Sequence, residues 1–321
     1  MKIIFMGTPD FAEATVEALA EAGHDIILCV TQPDRPKGRG GKMVASSVKE
    51  WALLHQVPVF QPQRIRKEEA ISEIKKYEVD LIVVAAFGQI LPKEILEFPR
   101  FGCINVHASL LPRYRGAAPI QWSILNGDKT TGITMIQMGE GLDDGNILSQ
   151  QEVEILPEDT GGSLFERLAV IGGTLCVQTI ENMSQGKIIP MPQDESKATH
   201  VGMIKKELGC LDFNKPAEEI LLYIRGLNPW PSAYGICQDT MIKIWKARLA
   251  ESDISAQLMK QAFPGKIVVI NEKIYVCAKD ACIEILELQA QGKKRMLAQD
   301  YLRGHAFYDG DFFAGKKDES L

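Results

Sequence analysis

Apolar residues in this chain fall into two arrangements. Short unbroken runs at residues 2–6 (KIIFM), 26–31 and 81–86 (LIVVAA) alternate with stretches near 46–55 and 67–77 whose apolar positions recur at helical spacing. An unbroken apolar run suits a strand covered on both faces, and strands alternating with helices predict a parallel sheet. After the first run, Gly7-Thr8-Pro9-Asp10 predicts a turn into a helix, with Thr8 as N-cap, Pro9 at the first helical position and Gly23 just past the end. Cys103, Ile104 and Val106 predict another short buried strand in the same sheet. Residues 118–126 read as a helix stopped by Gly127, 133–138 as a strand, and 163–183 as a long helix closing the domain.

The pattern changes after Gly186. Residues 186–204 lose periodicity and carry prolines and polar residues, the marks of a linker. Beyond it a helix at 217–227 leads through the turn NPWPSA into short strand patterns near 234–238, 241–249, 266–270, 273–278 and 282–288, then a basic helical segment at 293–302. Short strands at turn-punctuated spacing predict a small antiparallel barrel, and barrels of the oligonucleotide-binding type present such a face to nucleic acids. The expected organisation is a doubly wound, mostly parallel α/β domain over 1–189, a linker over 190–207, and a smaller β-barrel over 208–321.

Charge sharpens this division. The net charge is −6, which argues against a general nucleic-acid coat. Residues 1–204 hold 19 Lys and Arg against 26 Asp and Glu, a net of −7, whereas 205–321 hold 17 against 16, a net of +1. An anionic partner is better accommodated by the last third. Within the first domain, residues 32–42 (QPDRPKGRGGK) set Arg35, Lys37, Arg39 and Lys42 against one acid, among two prolines and three glycines. A solvated surface loop is the plain reading of such a charge run, but a loop this long in a compact domain usually binds something, here phosphates. Seven cysteines without a CxxC pair predict neither a disulfide framework nor a zinc ribbon. No leader precedes the first strand and the run at 81–87 is too short to span a bilayer, so a soluble cytoplasmic protein is expected.

The candidate chemistry sits in residues 103–119, CINVHASLLPRYRGAAP. Asn105 and His107, two apart on a strand, share one face at its carboxyl end, where open α/β sheets bind ligands. The glycine-bracketed turn GEGLDDGNI offers a carboxylate, from Asp143 or Asp144, at another strand end. An amide donor, an imidazole and a carboxylate suit acyl transfer without a covalent intermediate: Asn105 for an oxyanion, His107 for a proton, the carboxylate to fix the ring's tautomer. The bland alternative is a core histidine beside a buried amide. No GxSxG elbow surrounds Ser109, so a serine nucleophile is not indicated. The turn GTPDFA has one glycine where dinucleotide binding wants three. Neither HExxH nor HxE…PCxxC occurs, and of the five histidines only His107 falls at a predicted strand end, so no metal is expected.

The segment NVHASLLPRYRGAAPIQWSILNGDKTTGITMIQMGEGLDDGNIL resembles the formyl-transfer segment of the 10-formyltetrahydrofolate-dependent formyltransferases. IIFMGTPDFA, TQPDRPKGRGGK and NPWPSAY extend the resemblance over essentially the whole chain, closest to the branch that acts on initiator methionyl-tRNA. The resemblance implies a formyltransferase fold, with a barrel that helps hold the tRNA. It implies a catalytic Asn105, His107 and Asp143, the carboxylate directly after the Gly-Leu pair being the family's. It further implies 10-formyltetrahydrofolate as co-substrate on Ser109, Leu110, Leu111 and Pro112, and a basic insertion (Arg35, Lys37, Arg39, Lys42) entering the acceptor-stem region. A monomer without metal or membrane attachment is expected. Transfer to a small amine, hydrolysis of the formyl-folate, or RNA binding without catalysis are the rival readings.

Overall fold

The computed structural model of the chain describes residues 1–37, 42–261 and 263–314. Its unbroken apolar runs become inner strands, as burial on two faces requires. Among the described residues one sheet runs, edge to edge, Ile147–Glu154, Thr130–Gln137, Cys103–His107, Leu81–Ala85, Lys2–Gly7, Asp25–Val30 and Val59–Phe60. The last five strands are parallel to one another. Thr130–Gln137 is antiparallel to Cys103–His107, and Ile147–Glu154 to Thr130–Gln137. The mostly parallel sheet therefore carries an antiparallel edge. The unforeseen outermost strand, ILSQQEVE, buries only Ile147, Leu148 and Val153, so no apolar run announces it.

One side of the sheet packs Ile4, Met6, Leu28, Val30, Ile82 and Val84 against Ile65, Ile74 and Ile95. The first turn departs from expectation. The Asp10–Glu21 helix has Pro9 at its cap, extended at φ −84° and ψ 177°, with no side-chain cap bond. Thr8 Oγ1 instead accepts from the Gln32 N–H at 3.3 Å, tying the turn to the next strand's end. A Cβ on Gly7 would lie 2.5 Å from Ala12 Cβ and 2.9 Å from the Ala85 carbonyl, so glycine is there for a close helix–strand approach. The next helix, Ser47–Leu54, does have a hydroxyl cap, Ser46 accepting from Lys49 N–H at 3.2 Å.

The chain divides into two compact units, neither continuous in sequence: 1–119 with 130–154 and 164–202, and 120–129 with 155–163 and 203–321. The second unit contains the helix Ala217–Gly226 and a sheet ordered Tyr234–Cys237, Thr240–Leu249, Cys282–Ala290, Lys273–Cys277, Ile267–Ile270. Bridges from Ile236 to Ala314 and from Lys266 to Phe312 join the two edge strands through residues 312–314, which closes the sheet as a small barrel. Ile242, Ile244, Ile274, Val276, Ile283 and Ile285 belong to its core, where Phe213 stacks on Phe313 at 5.6 Å. Two details differ from the sequence reading. The 293–302 segment is a two-residue strand, Met296–Leu297, followed by a short helix, Ala298–Leu302, and an unforeseen helix spans Ser252–Leu258.

Gly7→Ala is expected to destabilise the protein by about 1–3 kcal/mol through overpacking. Gly202→Ala, with open space around its Cβ position, is expected to be nearly neutral. The urea midpoints of the two variants test this, and equal midpoints would contradict the close-approach account.

Candidate active site

The Cys103–His107 strand lies inside the sheet, with His107 in register with Thr134 and Asn105 with Ile136. Period-two geometry sets the amide and the imidazole on one face; His107 is buried and Asn105 half-buried. His107 Nε2 is 2.9 Å from the Tyr114 carbonyl oxygen. A carbonyl only accepts, so Nε2 carries the hydrogen, and a neutral ring keeps its lone pair on Nδ1. The tautomer is thus fixed by a main-chain carbonyl and not, as the residue types alone suggested, by the carboxylate.

The loop between the Thr130–Gln137 and Ile147–Glu154 strands brings Asp143 to the other side of the ring. Its Oδ2 lies 3.6 Å from His107 Nδ1, and its Oδ1 lies 3.5 Å from Asn105 Nδ2. The Gly116 N–H donates to Oδ2 at 2.8 Å. Asp143 takes a left-handed backbone, φ +51°, which turns it toward the histidine. Asp144 is exposed and folds over Gly139 and Gly141; a side chain on Gly141 would collide with its carboxylate. Geometry thus distinguishes two neighbouring carboxylates that spacing could not.

After the strand comes the turn Ser109-Leu110-Leu111-Pro112. Ser109 is buried, its hydroxyl donating to the Arg113 carbonyl at 2.7 Å; Leu111 is buried with Ile136 and Ile147; Leu110 and Pro112 are partly exposed. Thr134 holds this turn. Its hydroxyl donates to the Ser109 carbonyl at 2.6 Å and accepts from the Leu111 N–H at 3.0 Å, while Gln150 Nε2 donates to the Leu111 carbonyl at 2.8 Å. Neither residue was anticipated. The available signal for Thr134 was one polar side chain within the buried run GITMI, which must find partners.

Arg115 is buried, with its guanidinium on Gln193 and Glu195. The hydrogen bonds to Glu195 hold it above its usual range against desolvation, and they lower the Glu195 carboxyl in turn. Residues 200–201, placed in the linker by their composition, form a short strand parallel to Arg115–Gly116. His200 starts that strand and is exposed, so His107 is not alone among histidines at a strand end.

Of the basic set, Arg35 is exposed on a short hairpin in which Arg35–Lys37 pairs with Lys42–Val44, while Arg39 lies outside the described residues. Among the described residues no group of His, Cys, Asp and Glu could hold a metal, and no helix is long and apolar enough to cross a membrane.

The family profile for formyl transferases matches residues 1–180, and that for the formyl transferase C-terminal domain matches 203–306. The chain belongs to the formyl transferase family. Among curated family members, the methionyl-tRNA formyltransferase of Agathobacter rectalis is 49% identical, over 98% of this chain and 99% of its own. That of Bacillus subtilis is 45% identical, over 97% and 96%. Two solved structures share the formyl transferase fold at low identity. The N-formyltransferase from Helicobacter canadensis, solved with folinic acid and dTDP-3-aminofucose, aligns at a TM-score of 0.64 and 20% identity, over 89% of this chain and 98% of its own. HypX from Aquifex aeolicus with tetrahydrofolic acid aligns at 0.61 and 15%, over 94% of this chain and 47% of its own.

Thr134→Val is expected to cost about 1–3 kcal/mol, because it strands a buried N–H and a buried carbonyl of the turn. Thr131 is equally buried, but its hydroxyl has no hydrogen-bond partner among the described residues, so Thr131→Val should be neutral or stabilising. Urea unfolding of both variants checks the contrast, and a loss at position 131 matching that at 134 would refute it.

Proposed function

We propose that the chain transfers the formyl group of 10-formyltetrahydrofolate to the free amine of initiator methionyl-tRNA. The observation that carries this reading is the convergence of Asn105, His107 and Asp143 within a formyl transferase fold, together with near full-length likeness to methionyl-tRNA formyltransferases. The folate supplies the formyl group and a nitrogen that leaves.

Each residue has a role that follows from its chemistry. Attack by the amine on the formyl carbon puts negative charge on the formyl oxygen, and the Asn105 amide donates to it. The attacking nitrogen must lose a proton, and the departing folate nitrogen must gain one. His107 Nδ1, the lone-pair side of the ring, accepts the first; Asp143 stabilises the imidazolium and helps deliver a proton to the second. No covalent enzyme intermediate is needed. Ser109, Leu110, Leu111 and Pro112 are assigned to the folate. Their suitability rests on a turn whose peptide groups are already tied to Thr134 and Gln150, and which leaves Leu110 and Pro112 partly open.

The acceptor is assigned to tRNA on the second unit and on the basic 32–42 stretch of the sequence, whose Arg35, Lys37, Arg39 and Lys42 are assigned to the phosphate backbone. A small amine offers no phosphate backbone for such a basic set to meet. A charged tRNA also places the reaction in the cytoplasm. RNA binding without catalysis leaves the convergence of the three polar side chains without purpose.

The deciding experiment offers the enzyme formyl-folate with charged initiator methionyl-tRNA, charged elongator methionyl-tRNA, or free methionine. The initiator tRNA should be formylated fastest, and comparable transfer to free methionine would remove the tRNA from the reading. Asn105→Ala and His107→Ala should each lower kcat by roughly 10²–10⁴; near wild-type rates would refute the roles given above. Raising salt from about 50 to 200 mM should depress kcat/KM for the tRNA steeply, whereas a small amine would be almost indifferent.

A further inference from the structure

Segment 191–201 was read as linker, yet it touches both walls of the site. At its start Met191 and Ile147 exchange backbone hydrogen bonds of 2.8 and 2.9 Å, just after the Asp143 loop. Toward its end the Thr199 hydroxyl accepts from the Tyr114 N–H at 2.8 Å, and the Thr199 carbonyl from the Arg115 N–H at 2.8 Å. Between these lies Gln193. Its Nε2 donates to the carbonyls of Asp143 at 2.7 Å and Gly145 at 2.8 Å, and its Oε1 accepts from Arg115 Nε at 3.1 Å and Nη2 at 2.9 Å. The opposite amide orientation would set an oxygen against two carbonyls and an NH2 against a guanidinium, so only this one satisfies every partner.

We propose that Gln193 is a positioning residue: by clamping the Asp143 loop to the buried Arg115, it keeps the Asp143 carboxylate aimed at His107 and Asn105. The inference rests on the roles given above to those three side chains. Asp143 sits on a left-handed backbone in a loop of glycines, and such a loop has many other conformations open to it in the absence of a clamp. A Cβ on Gly145 would strike the Gln137 carbonyl, which limits the far side. The near side is held by the two bonds from one side-chain amide. Gln193 is itself only partly buried, but Arg115 behind it is buried and further fixed by Glu195 at 2.6 and 3.0 Å. The clamp therefore has a rigid base.

Two variants separate the halves of the clamp. Gln193→Met keeps the length and loses every hydrogen bond. Gln193→Glu keeps an oxygen for Arg115 but turns a carboxylate toward the two carbonyls. Both are expected to lower kcat by roughly 10–100-fold, the cost of a catalytic group displaced by about 1 Å, with KM changed by less than about 3-fold. In an Asp143→Asn background Gln193→Met should cost little more, because the group it positions is already gone. Amide exchange of Gly116, whose N–H is bonded to the Asp143 carboxylate, should quicken about tenfold in either variant, while amides of the Lys2–Gly7 strand stay protected. Unchanged kcat, an equal loss in the Asp143→Asn background, or unchanged Gly116 exchange would each overturn the proposal, and a purely structural role would speed exchange throughout the unit. The exchange measurement needs no substrate, so it decides the positioning role even if the wild-type enzyme fails to formylate methionyl-tRNA and the proposed acceptor is wrong.

Discussion

The Tyr114 carbonyl oxygen lies 2.9 Å from His107 Nε2 and accepts its hydrogen, and that bond determines which side of the ring is open to proton exchange. With Nε2 committed to a group that cannot give a proton back, exchange is left to Nδ1, which looks toward Asp143 and Asn105. The constraint reaches outward. Tyr114 itself has a left-handed backbone, φ +62°, a conformation that costs a bulky residue about 1–2 kcal/mol. Its carbonyl can stay where the histidine needs it only if something else holds the peptide, and the Thr199 carbonyl does so by accepting from the Arg115 N–H of that same peptide at 2.8 Å.

The same arrangement recurs around the site. Tyr114, Ala118 and Asp143 are non-glycine residues at positive φ, and Gly116 between them sits at +106° with no room for a Cβ beside the Val201 carbonyl. Backbone strain of this kind persists where surrounding contacts over-determine it. Those contacts come from the 191–201 segment, which supplies Thr199, Val201 and Gln193 to three different parts of the loops around His107 and Asp143. The regular sheet provides the Asn–His strand; an irregular segment far along the chain provides the precision.

This explains what was legible in the sequence and what was not. The inner strands show as unbroken apolar runs, and Asn105 and His107 show as polar residues on one face of such a strand, because period-two geometry is local. The barrel strands were legible for the same reason, each lying between turn signals. Asp143 could not be chosen over Asp144 by spacing, since the choice depends on a backbone dihedral and on Gly116, 27 residues away in sequence. The strand Ile147–Glu154 was missed because an edge strand needs few apolar residues. Gln193 and Thr199 were missed because a strap that works by side-chain hydrogen bonds has the polar, proline-bearing composition of a linker. Thr8 misled because a good capping residue stood one position too early.

Distances among Asn105, His107 and Asp143 also bear on the chemistry proposed for them. At 3.6 Å from His107 Nδ1 and 3.5 Å from Asn105 Nδ2, Asp143 is close enough to feel both, yet it forms a short hydrogen bond to neither. Among the described residues its carboxylate accepts one short hydrogen bond, 2.8 Å from the Gly116 N–H, which fixes it without occupying the imidazole or the amide. Had the three groups saturated one another, a developing oxyanion would first have to break an existing bond to reach Asn105. The same would hold for an incoming proton at Nδ1. Fixing the ring through the Tyr114 carbonyl and the carboxylate through the Gly116 N–H leaves the Nδ1 edge and the Asn105 amide without a short bond to one another or to the carboxylate. That is the physical meaning of preorganisation for the proposed chemistry, since no short bond among these three side chains has to be exchanged when charge appears.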